Sequence, residues 1–290
     1  MEFNEEEERE KWKLTDEEFE SNANEIFSQL ALCARKSPSP TFIMVGGQAG
    51  SGKSALVARE YENIEGNAII IDQDELRTKF PQEKYRKIHD TYTEREEFLI
   101  LKPYISKLII ALKDRAKEGG YNIILESALR SVNSFIDMCR ELKQSGYHTK
   151  LSILAVPEVE ANLSLLTRYC YYLERDGECR RNARVDPTSV QKMRGNIEKL
   201  DELGIFDDIV VSIRGKDIDN LPEQIYSKSD NPQIKPIQAY DEGRKKSFQD
   251  TKRNFYIRYV KIKDILTKFN ETDKLASLEK IAESFEELVK

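Results

Sequence analysis

The sequence predicts an α/β fold in which a parallel β-sheet is flanked by helices and followed by a C-terminal helical extension. Three observations lead to this prediction. Five short apolar runs alternate with segments of helical periodicity, which is the pattern of a parallel sheet. A glycine-rich loop directly follows the first run, and after about residue 228 two amphipathic segments replace the strand-like runs.

The elements follow in order along the chain. The acidic run at 4–9 is expected to be solvated, and a helix capped by Thr15 or Asp16 ends before the prolines at 37–40. The apolar runs, which predict buried parallel strands, are TFIMV from 41, NAIIID from 67, YNIILES from 121, KLSILAVP from 150 and DDIVVSI from 207. Helices are expected between them, at 54–62, 91–117, 131–145, 158–174 and 187–203.

The change in character near residue 228 predicts two units. Residues 1–227 are expected to form one domain that carries the glycine-rich loop, and 228–290 a linker with a helical extension. Two amphipathic helices are expected in this extension, KSFQDTKRNFYIRYVKIKDILTKF from 246 and DKLASLEKIAESFEELVK from 273. In the last segment Leu275, Leu278, Ile281, Phe285 and Leu288 form one apolar stripe. We expect this extension to pack on the first domain; a docking face for another protein is the alternative.

Composition excludes several classes of protein. With a net charge of −6, the chain is a poor candidate for general nucleic-acid binding. No apolar run approaches the roughly 20 residues of a membrane span. The N-terminus is acidic where a signal peptide would be basic. The four cysteines form no CxxC pair and there are two histidines, so we expect neither a zinc site nor a disulfide scaffold, but a cytoplasmic protein.

The loop VGGQAGSGKSAL carries the complete pattern G-x-x-x-x-G-K-[ST]. Its members are Gly47, Gln48, Ala49, Gly50, Ser51, Gly52, Lys53 and Ser54. Glycines allow backbone N–H groups to converge on phosphate oxygens at the positive end of the next helix. Lys53 is expected to reach the β- and γ-phosphates, and Ser54 to ligate Mg²⁺. The loop therefore predicts nucleotide binding.

Acidic residues end two of the predicted strands. AIIIDQD ends in Asp72 and Asp74, and IILES ends in Glu126. Ligands bind at the carboxyl ends of parallel strands, so these acids are candidates for a site next to the loop. Helix capping or a surface position is the alternative for each acid taken alone.

The remaining motifs favour a kinase over other phosphate-loop proteins. There is no N-K-x-D stretch of the kind that recognises guanine in GTPases, and the chain is short for a motor. A kinase needs an acid for the acceptor hydroxyl and arginines for the moving phosphoryl group. The segment 168–184 is expected to form a basic lid, or alternatively a solvated basic surface, with Arg168, Arg175, Arg180, Arg181 and Arg184.

These motifs together resemble the zeta toxin family, the kinases of bacterial epsilon/zeta toxin–antitoxin systems. The likeness covers most of the first 215 residues. It is carried by LTDEEFESNANEIFSQL, GGQAGSGKS, GNAIIIDQDELR, GYNIILESALR, GYHTKLSILAVP, LLTRY and AR followed closely by Pro187. The loop is common to many phosphate-binding proteins, whereas the combination of IDxD, GYN before the strand-end Glu, AVP and RY is specific.

The resemblance implies an activity and a role for each matching residue. Zeta toxins transfer the γ-phosphate of ATP to the 3′-hydroxyl of the amino sugar in UDP-N-acetylglucosamine, which blocks cell-wall precursor synthesis. Lys53 and Ser54 then match the residues that hold ATP and Mg²⁺, and Asp74 matches the catalytic base. Substrate contacts are implied for Glu126 and Arg130, and clamping of the γ-phosphate for Arg168 and Arg184. A separate antitoxin that blocks the nucleotide site is the implied partner; the alternative is that the chain is a chromosomal metabolic relative without an antitoxin.

This sequence departs from the family pattern at four places, of which the last three leave the acceptor open: Ala49 in the loop, the SALR stretch, a helical glutamate and a predicted lid that is longer by a few residues. Ala49 stands where proline is common, and SALR at 127–130 stands where GTGR is frequent. A helical glutamate of the family aligns without gaps to Ile110, so that Glu94, Glu96 and Glu97 are the acids that could substitute. Two alternatives stay open: a kinase for another UDP-sugar, hydroxylated metabolite or antibiotic, and an ATP-sensing interaction protein.

Overall fold

The computed structural model describes residues 3–129, 132–179, 188–215 and 221–290. Within these ranges the strands β1 to β6 are Thr41–Gly46, Ile69–Asp72, Ile123–Ser127, His148–Leu154, Asp208–Ile213 and Glu223–Ser227. The helices α1 to α11 are Glu5–Trp12, Asp16–Ala31, Lys53–Asn63, Gln73–Thr78, Gln82–Thr91, Glu94–Gly119, Asn133–Gln144, Glu158–Asp176, Ser189–Leu203, Pro236–Lys268 and Thr272–Val289. The predicted α/β class is confirmed.

All six strands join one sheet in the order β2-β3-β1-β4-β5-β6. The first five, which are the five predicted apolar runs, pair in parallel, and β6 pairs antiparallel to β5. The sequence did not predict β6, because Glu223–Ser227 is an edge strand whose first residues are exposed. An edge strand needs no continuous apolar run, since one side of it faces water.

Alternate residues of β1 enter two cores on opposite faces of the sheet. Phe42 and Met44 belong to the larger core, which includes the buried side chains of α6. Ile43 and Val45 belong to a smaller core with Leu56 of α3. Burial on both faces explains why the strands are apolar throughout instead of alternating in polarity.

Three helices in the first hundred residues were not predicted, namely α1, α4 and α5, although the acidic run is solvated as predicted, since no residue of α1 is buried. The acidic run forms the helix α1, because the Asn4 side chain caps its first turn and four glutamates lie near the positive end of the helix dipole. The helices α4 and α5 were not predicted, since both are short and only one residue of each is buried.

The C-terminal extension packs on the rest of the chain. Phe255, Leu278 and Phe285 share a core with the buried residues of α8, and α10 also contacts β5 and α9. The helix α10 begins at Pro236, well before the predicted start at 246. Within it Gly243 allows close contact with the sheet, because a Cβ there would lie 2.9 Å from the Ala155 Cβ. The division at residue 228 remains a prediction.

None of the helices within the described ranges combines the length and the apolarity that a bilayer crossing requires.

Candidate functional site

The glycine-rich loop connects β1 to α3 and is held in a conformation that requires glycine. Gly50 and Gly52 have φ values of 76° and 94°, in the left-handed region. A Cβ at position 50 would lie 2.2 Å from the carbonyl oxygen of Ala161. The buried Gln48 amide donates to the carbonyl of Val156 at 3.2 Å. The loop is therefore seated against the start of α8.

A cavity of about 640 Å³ brings most of the predicted site residues together. Its lining includes Ala49, Gly50, Gly52, Lys53 and Ser54 from the loop, Asp72, Asp74 and Glu126 from the strand ends, and Arg168 from α8. Gly47, Gln48 and Ser51 belong to the loop but do not line the cavity. Arg130, Arg180, Arg181 and Arg184 lie outside the described residues.

Strand register explains why the acids meet the loop. Glu126 of β3 pairs with Val45 of β1 on one side and with Asp72 of β2 on the other. All three strands run in parallel, so their carboxyl ends reach the same edge of the sheet. Glu126 thereby lies between the phosphate loop and the acids that follow β2.

Lys53 and Glu126 form the electrostatic centre of the cavity. The Lys53 Nζ lies 3.5 Å from the Glu126 Oε1, and the two side chains are 12% and 13% exposed. Burial raises the pKa of Glu126 above its ordinary value of 4.5; Lys53 opposes this effect, and Asp72 and Asp74 add to it. The ionised form of Glu126 is thus disfavoured in the folded protein.

This raised pKa predicts that Glu126→Gln increases the free energy of unfolding at neutral pH. At pH values between the pKa of Glu126 in the unfolded chain and its higher pKa in the folded protein, the folded state binds more protons than the unfolded state. The free energy of unfolding of the wild type therefore falls as the pH rises through this range. The neutral amide avoids this loss. Urea unfolding of both proteins at a series of pH values above the ordinary pKa of 4.5 should show the advantage of Glu126→Gln growing with pH and then levelling off once Glu126 is ionised in the folded state.

Glu279 provides the control for this measurement, because Lys263 lowers the pKa of Glu279. Replacing Glu279 by glutamine should bring no gain in stability at neutral pH. A Glu126→Gln protein whose stability relative to wild type fell with rising pH would contradict the assignment of a raised pKa.

The structure separates the roles of Asp72 and Asp74. The Asp72 carboxylate accepts hydrogen bonds from the backbone N–H groups of Asp74 at 2.8 Å and Glu75 at 3.4 Å. It thus caps α4. Asp74 lies in the first turn of α4 with an exposed side chain at the cavity. Of the two acids, Asp74 is the one placed to contact a bound molecule.

The acids of α6 take three different positions. Glu94 lines the cavity, whereas Glu97 is buried and lies 3.2 Å from the Arg77 Nε and 2.9 Å from the His89 Nδ1. Glu96 accepts from the Thr93 backbone in the N-terminal capping box of α6. Ile110 is 52% exposed and does not line the cavity. Of these three acids of α6, Glu94 is the one that lines the cavity.

The loop after β3 turns two of its residues into the protein. Ser127 and Leu129 are buried, and the Ser127 hydroxyl accepts from the Leu129 backbone N–H at 3.1 Å. Leu129 packs against Gly46, where a Cβ would lie 2.2 Å from its Cδ1. Within the described part of SALR, only Ala128 keeps partial exposure.

The predicted lid begins as a helix. Residues through Asp176 belong to α8, so Arg168 and Arg175 project from helical turns. Arg168 lines the cavity, and Arg175 pairs with Asp176 at 2.6 Å. Most of the predicted lid beyond α8 lies outside the described residues.

Two basic residues of the cavity were missed in the sequence. Arg214 follows β5 and donates from its Nε to the Ser51 carbonyl at 2.7 Å, and Arg77 lies on α4. A basic residue directly after the last predicted parallel strand was the available signal for Arg214, since that strand ends at the same sheet edge as the loop.

A larger cavity of about 1240 Å³ lies between α8, α10 and α11. It contains neither the glycine-rich loop nor the acids that end β2 and β3. The chemistry of phosphoryl transfer therefore points to the smaller cavity.

The sheet order, the loop and the strand-end acids define a phosphate-loop protein with a kinase-like fold. The sequence model of the family described as zeta toxin matches residues 23–225. The chain belongs to the zeta toxin family.

Individual relatives agree with this assignment. The chain is 26% identical to Toxin zeta of Streptococcus pyogenes over 278 residues, 94% of this chain and 93% of the relative. It is 28% identical over 214 residues to Toxin PezT of Streptococcus pneumoniae serotype 4, covering 70% and 79%. A solved structure of the PezAT chromosomal toxin–antitoxin system of Streptococcus pneumoniae has the same fold, with a TM-score of 0.74, 23% identity and coverage of 88% and 98%.

Proposed function

We propose that this chain is an ATP-dependent kinase that phosphorylates the 3′-hydroxyl of the amino sugar in UDP-N-acetylglucosamine. One observation carries the proposal: five residues of the phosphate loop, among them Lys53 and Ser54, line one cavity of about 640 Å³ together with the acids Asp74 and Glu126. A cavity of this size accommodates small molecules, and its lining has groups for both a donor and an acceptor.

The loop provides the donor half of the proposed site. Its backbone N–H groups and the N-terminus of α3 favour the negative charge of phosphates. Lys53 lies at the start of α3, where Glu126 holds its ammonium group in the cavity. On this assignment Lys53 leaves Glu126 for the β- and γ-phosphates when ATP binds.

The donor set of the cavity suits Mg²⁺, a hard cation that prefers oxygen ligands. The Ser54 hydroxyl lies with the carboxylates of Asp72, Asp74 and Glu126. No group of three or more acids, histidines or cysteines poised for a metal occurs among the residues described. Mg²⁺ does not need one, since it usually keeps waters and phosphate oxygens as ligands. A bound Mg²⁺ ion would have Ser54 as one ligand, and it would neutralise part of the phosphate charge.

Asp74 provides the acceptor half. Its exposed carboxylate can accept a hydrogen bond from a sugar hydroxyl and so align the oxygen for in-line attack on phosphorus. The hydroxyl proton then passes to a carboxylate oxygen late in the transfer, so that no strongly raised pKa is needed when the transition state is loose.

Arg168 is proposed to stabilise the moving phosphoryl group, because a guanidinium can contact two of its oxygens at once. Arg184 is proposed for the same task and Arg130 for the acceptor, both from the family resemblance. The biological role proposed with this chemistry is that of a cytoplasmic toxin with a separate antitoxin. It is supported by relatives named Toxin zeta and Toxin PezT and by the PezAT toxin–antitoxin structure.

A panel of acceptors tests the proposal. The protein is incubated with ATP, Mg²⁺ and UDP-N-acetylglucosamine, UDP-N-acetylgalactosamine or UDP-glucose, and products are identified by mass spectrometry. We expect UDP-N-acetylglucosamine to gain the mass of one phosphoryl group. Phosphorylation of another UDP-sugar instead would show that the protein is a kinase with a different acceptor. ATP binding without any phosphorylated acceptor would favour an ATP-sensing protein.

A further inference from the structure

A network of charged side chains links the phosphate loop to the C-terminal helix α10. Arg214 donates to the carbonyls of both Gly50 and Ser51, the latter at 2.7 Å. Its Nη1 also donates to the Glu160 Oε1 at 2.5 Å. On the other side the Arg258 Nη1 donates to the same oxygen at 2.6 Å. The carboxylate of Glu160 thus lies between Arg214, which binds the loop, and Arg258 of α10.

Hydroxyl groups of α8 fix both arginines further. Ser164 accepts from the Arg214 Nη1 at 3.1 Å and from the Arg258 Nη2 at 3.0 Å. Thr167 accepts from the Arg258 Nη2 at 3.2 Å. One face of α8 therefore holds both guanidinium groups.

Glu160 compensates the charge of this network. It is 9% exposed and does not line the 640 Å³ cavity, whereas Arg214 does. Burial lowers the pKa of Arg214 and Arg258 lowers it further, while Glu160 acts in the opposite direction. Without the carboxylate, two neighbouring guanidinium groups would lose the anion they share, and Arg214 would be drawn toward solvent.

The position of Arg214 determines how the loop presents its donors. In a trans peptide unit the C=O of one residue and the N–H of the next point in opposite directions. Because Arg214 binds the Ser51 carbonyl, the N–H of Gly52 points away from Arg214. Phosphate binding by such loops depends on the direction of their N–H groups, so a change at this peptide should weaken it.

We propose that Glu160 is a positioning residue for nucleotide binding, which holds the loop through Arg214 and couples it to the C-terminal extension through Arg258. The inference rests on the proposed function only in taking the loop as the ATP site. On this account the extension is part of the donor site, although its residues do not line the cavity.

The first test is ATP affinity of Glu160→Gln, measured by calorimetry with MgATP. The substitution keeps the side-chain shape and removes the negative charge that Arg214 and Arg258 share, so we expect the Kd for ATP to rise about tenfold. At saturating ATP, kcat and the KM for the acceptor should stay near wild type. Glu279→Gln is the matched control, since Glu279 pairs with Lys263 in the same helical bundle and not with the loop.

The second test is Arg258→Met, with Arg253→Met as control because Arg253 is 79% exposed on the same helix. We expect Arg258→Met to weaken ATP binding about fivefold, with a smaller change for Arg258→Lys, and the control to bind normally. The double variant of Glu160→Gln and Arg258→Met should bind no more weakly than Glu160→Gln alone.

The outcomes separate this inference from the proposed function. Wild-type protein that did not bind ATP would refute the proposed function. Normal binding by a folded Glu160→Gln protein would refute the positioning role, and normal binding by Arg258→Met would refute the coupling to α10. If Glu160→Gln fails to fold, Glu160→Asp, whose shorter side chain withdraws the carboxylate from both arginines, replaces it in the test of positioning, and Arg258→Met and Arg258→Lys still decide the coupling to α10. If Glu160→Gln lost ATP affinity and kcat at saturating ATP to the same extent, the proposed role of Glu160 in positioning the loop for nucleotide binding would also be contradicted.

Discussion

Asp74→Asn is expected to reduce phosphoryl transfer about a thousandfold while leaving ATP affinity within about twofold of wild type. Asp74 is exposed at the cavity in the first turn of α4, whereas the neighbouring Asp72 is engaged in capping that helix. The amide of asparagine can still accept a hydrogen bond, but it cannot take up the proton of the acceptor hydroxyl. The loss should therefore fall on transfer and not on donor binding.

Single-turnover transfer from γ-labelled ATP and calorimetric ATP binding together measure this effect. Glu83→Gln is a suitable control, because Glu83 is 85% exposed on α5 and pairs with Lys87. Near-normal transfer by Asp74→Asn would show that another group takes the proton. Unchanged thermal unfolding would confirm that the variant is folded.

Lys53→Met is expected to lose both ATP affinity and transfer, with kcat/KM lower by about a thousandfold or more. The Lys53 side chain is 12% exposed and ends 3.5 Å from Glu126, so its charge is held inside the cavity. Methionine retains much of the aliphatic stem and removes the charge. The phosphates then lose their closest cation in a site where burial strengthens its effect.

The same two assays apply to Lys53→Met, with Lys84→Met on α5 as control, since Lys84 pairs with Glu18 away from the cavity. The two substitutions should impair different steps. Asp74→Asn should slow phosphoryl transfer without weakening ATP binding, because Asp74 lies on the acceptor side. Lys53→Met should impair ATP binding and transfer together. If Lys53→Met bound and used ATP normally, the loop would not be the donor site.

Much of the fold was predictable because its strands are buried on both faces. The runs that form β1 to β5 are apolar throughout. They can therefore be recognised as buried strands without knowing which strands they pair with. Elements that are short or half-exposed were missed, namely α4, α5 and β6. The start of α10 was placed too late, because the polar, proline-containing stretch 227–238 indicated a linker, whereas Pro236 begins the helix.

The site was predictable where chemistry is local in sequence. The loop is one continuous motif, and Glu126 and the acids after β2 were found because strand ends of a parallel sheet meet. The distinction between Asp72 and Asp74 depends on where α4 begins, which a short helix does not reveal. Arg214 contacts a carbonyl 163 residues away along the chain, so its place after the last parallel strand could indicate a position near the loop, but the contact itself could be found only in the folded structure.

The most direct test of the proposed kinase is the position of the phosphate on the product. UDP-N-acetylglucosamine is treated with the protein, ATP and Mg²⁺, and the purified product is examined by proton–phosphorus correlation NMR. We expect the new phosphorus signal to couple to the proton on carbon 3 of the amino sugar, with no product from Asp74→Asn. A phosphorus coupled to another carbon, or release of inorganic phosphate without a sugar product, would contradict the proposed function.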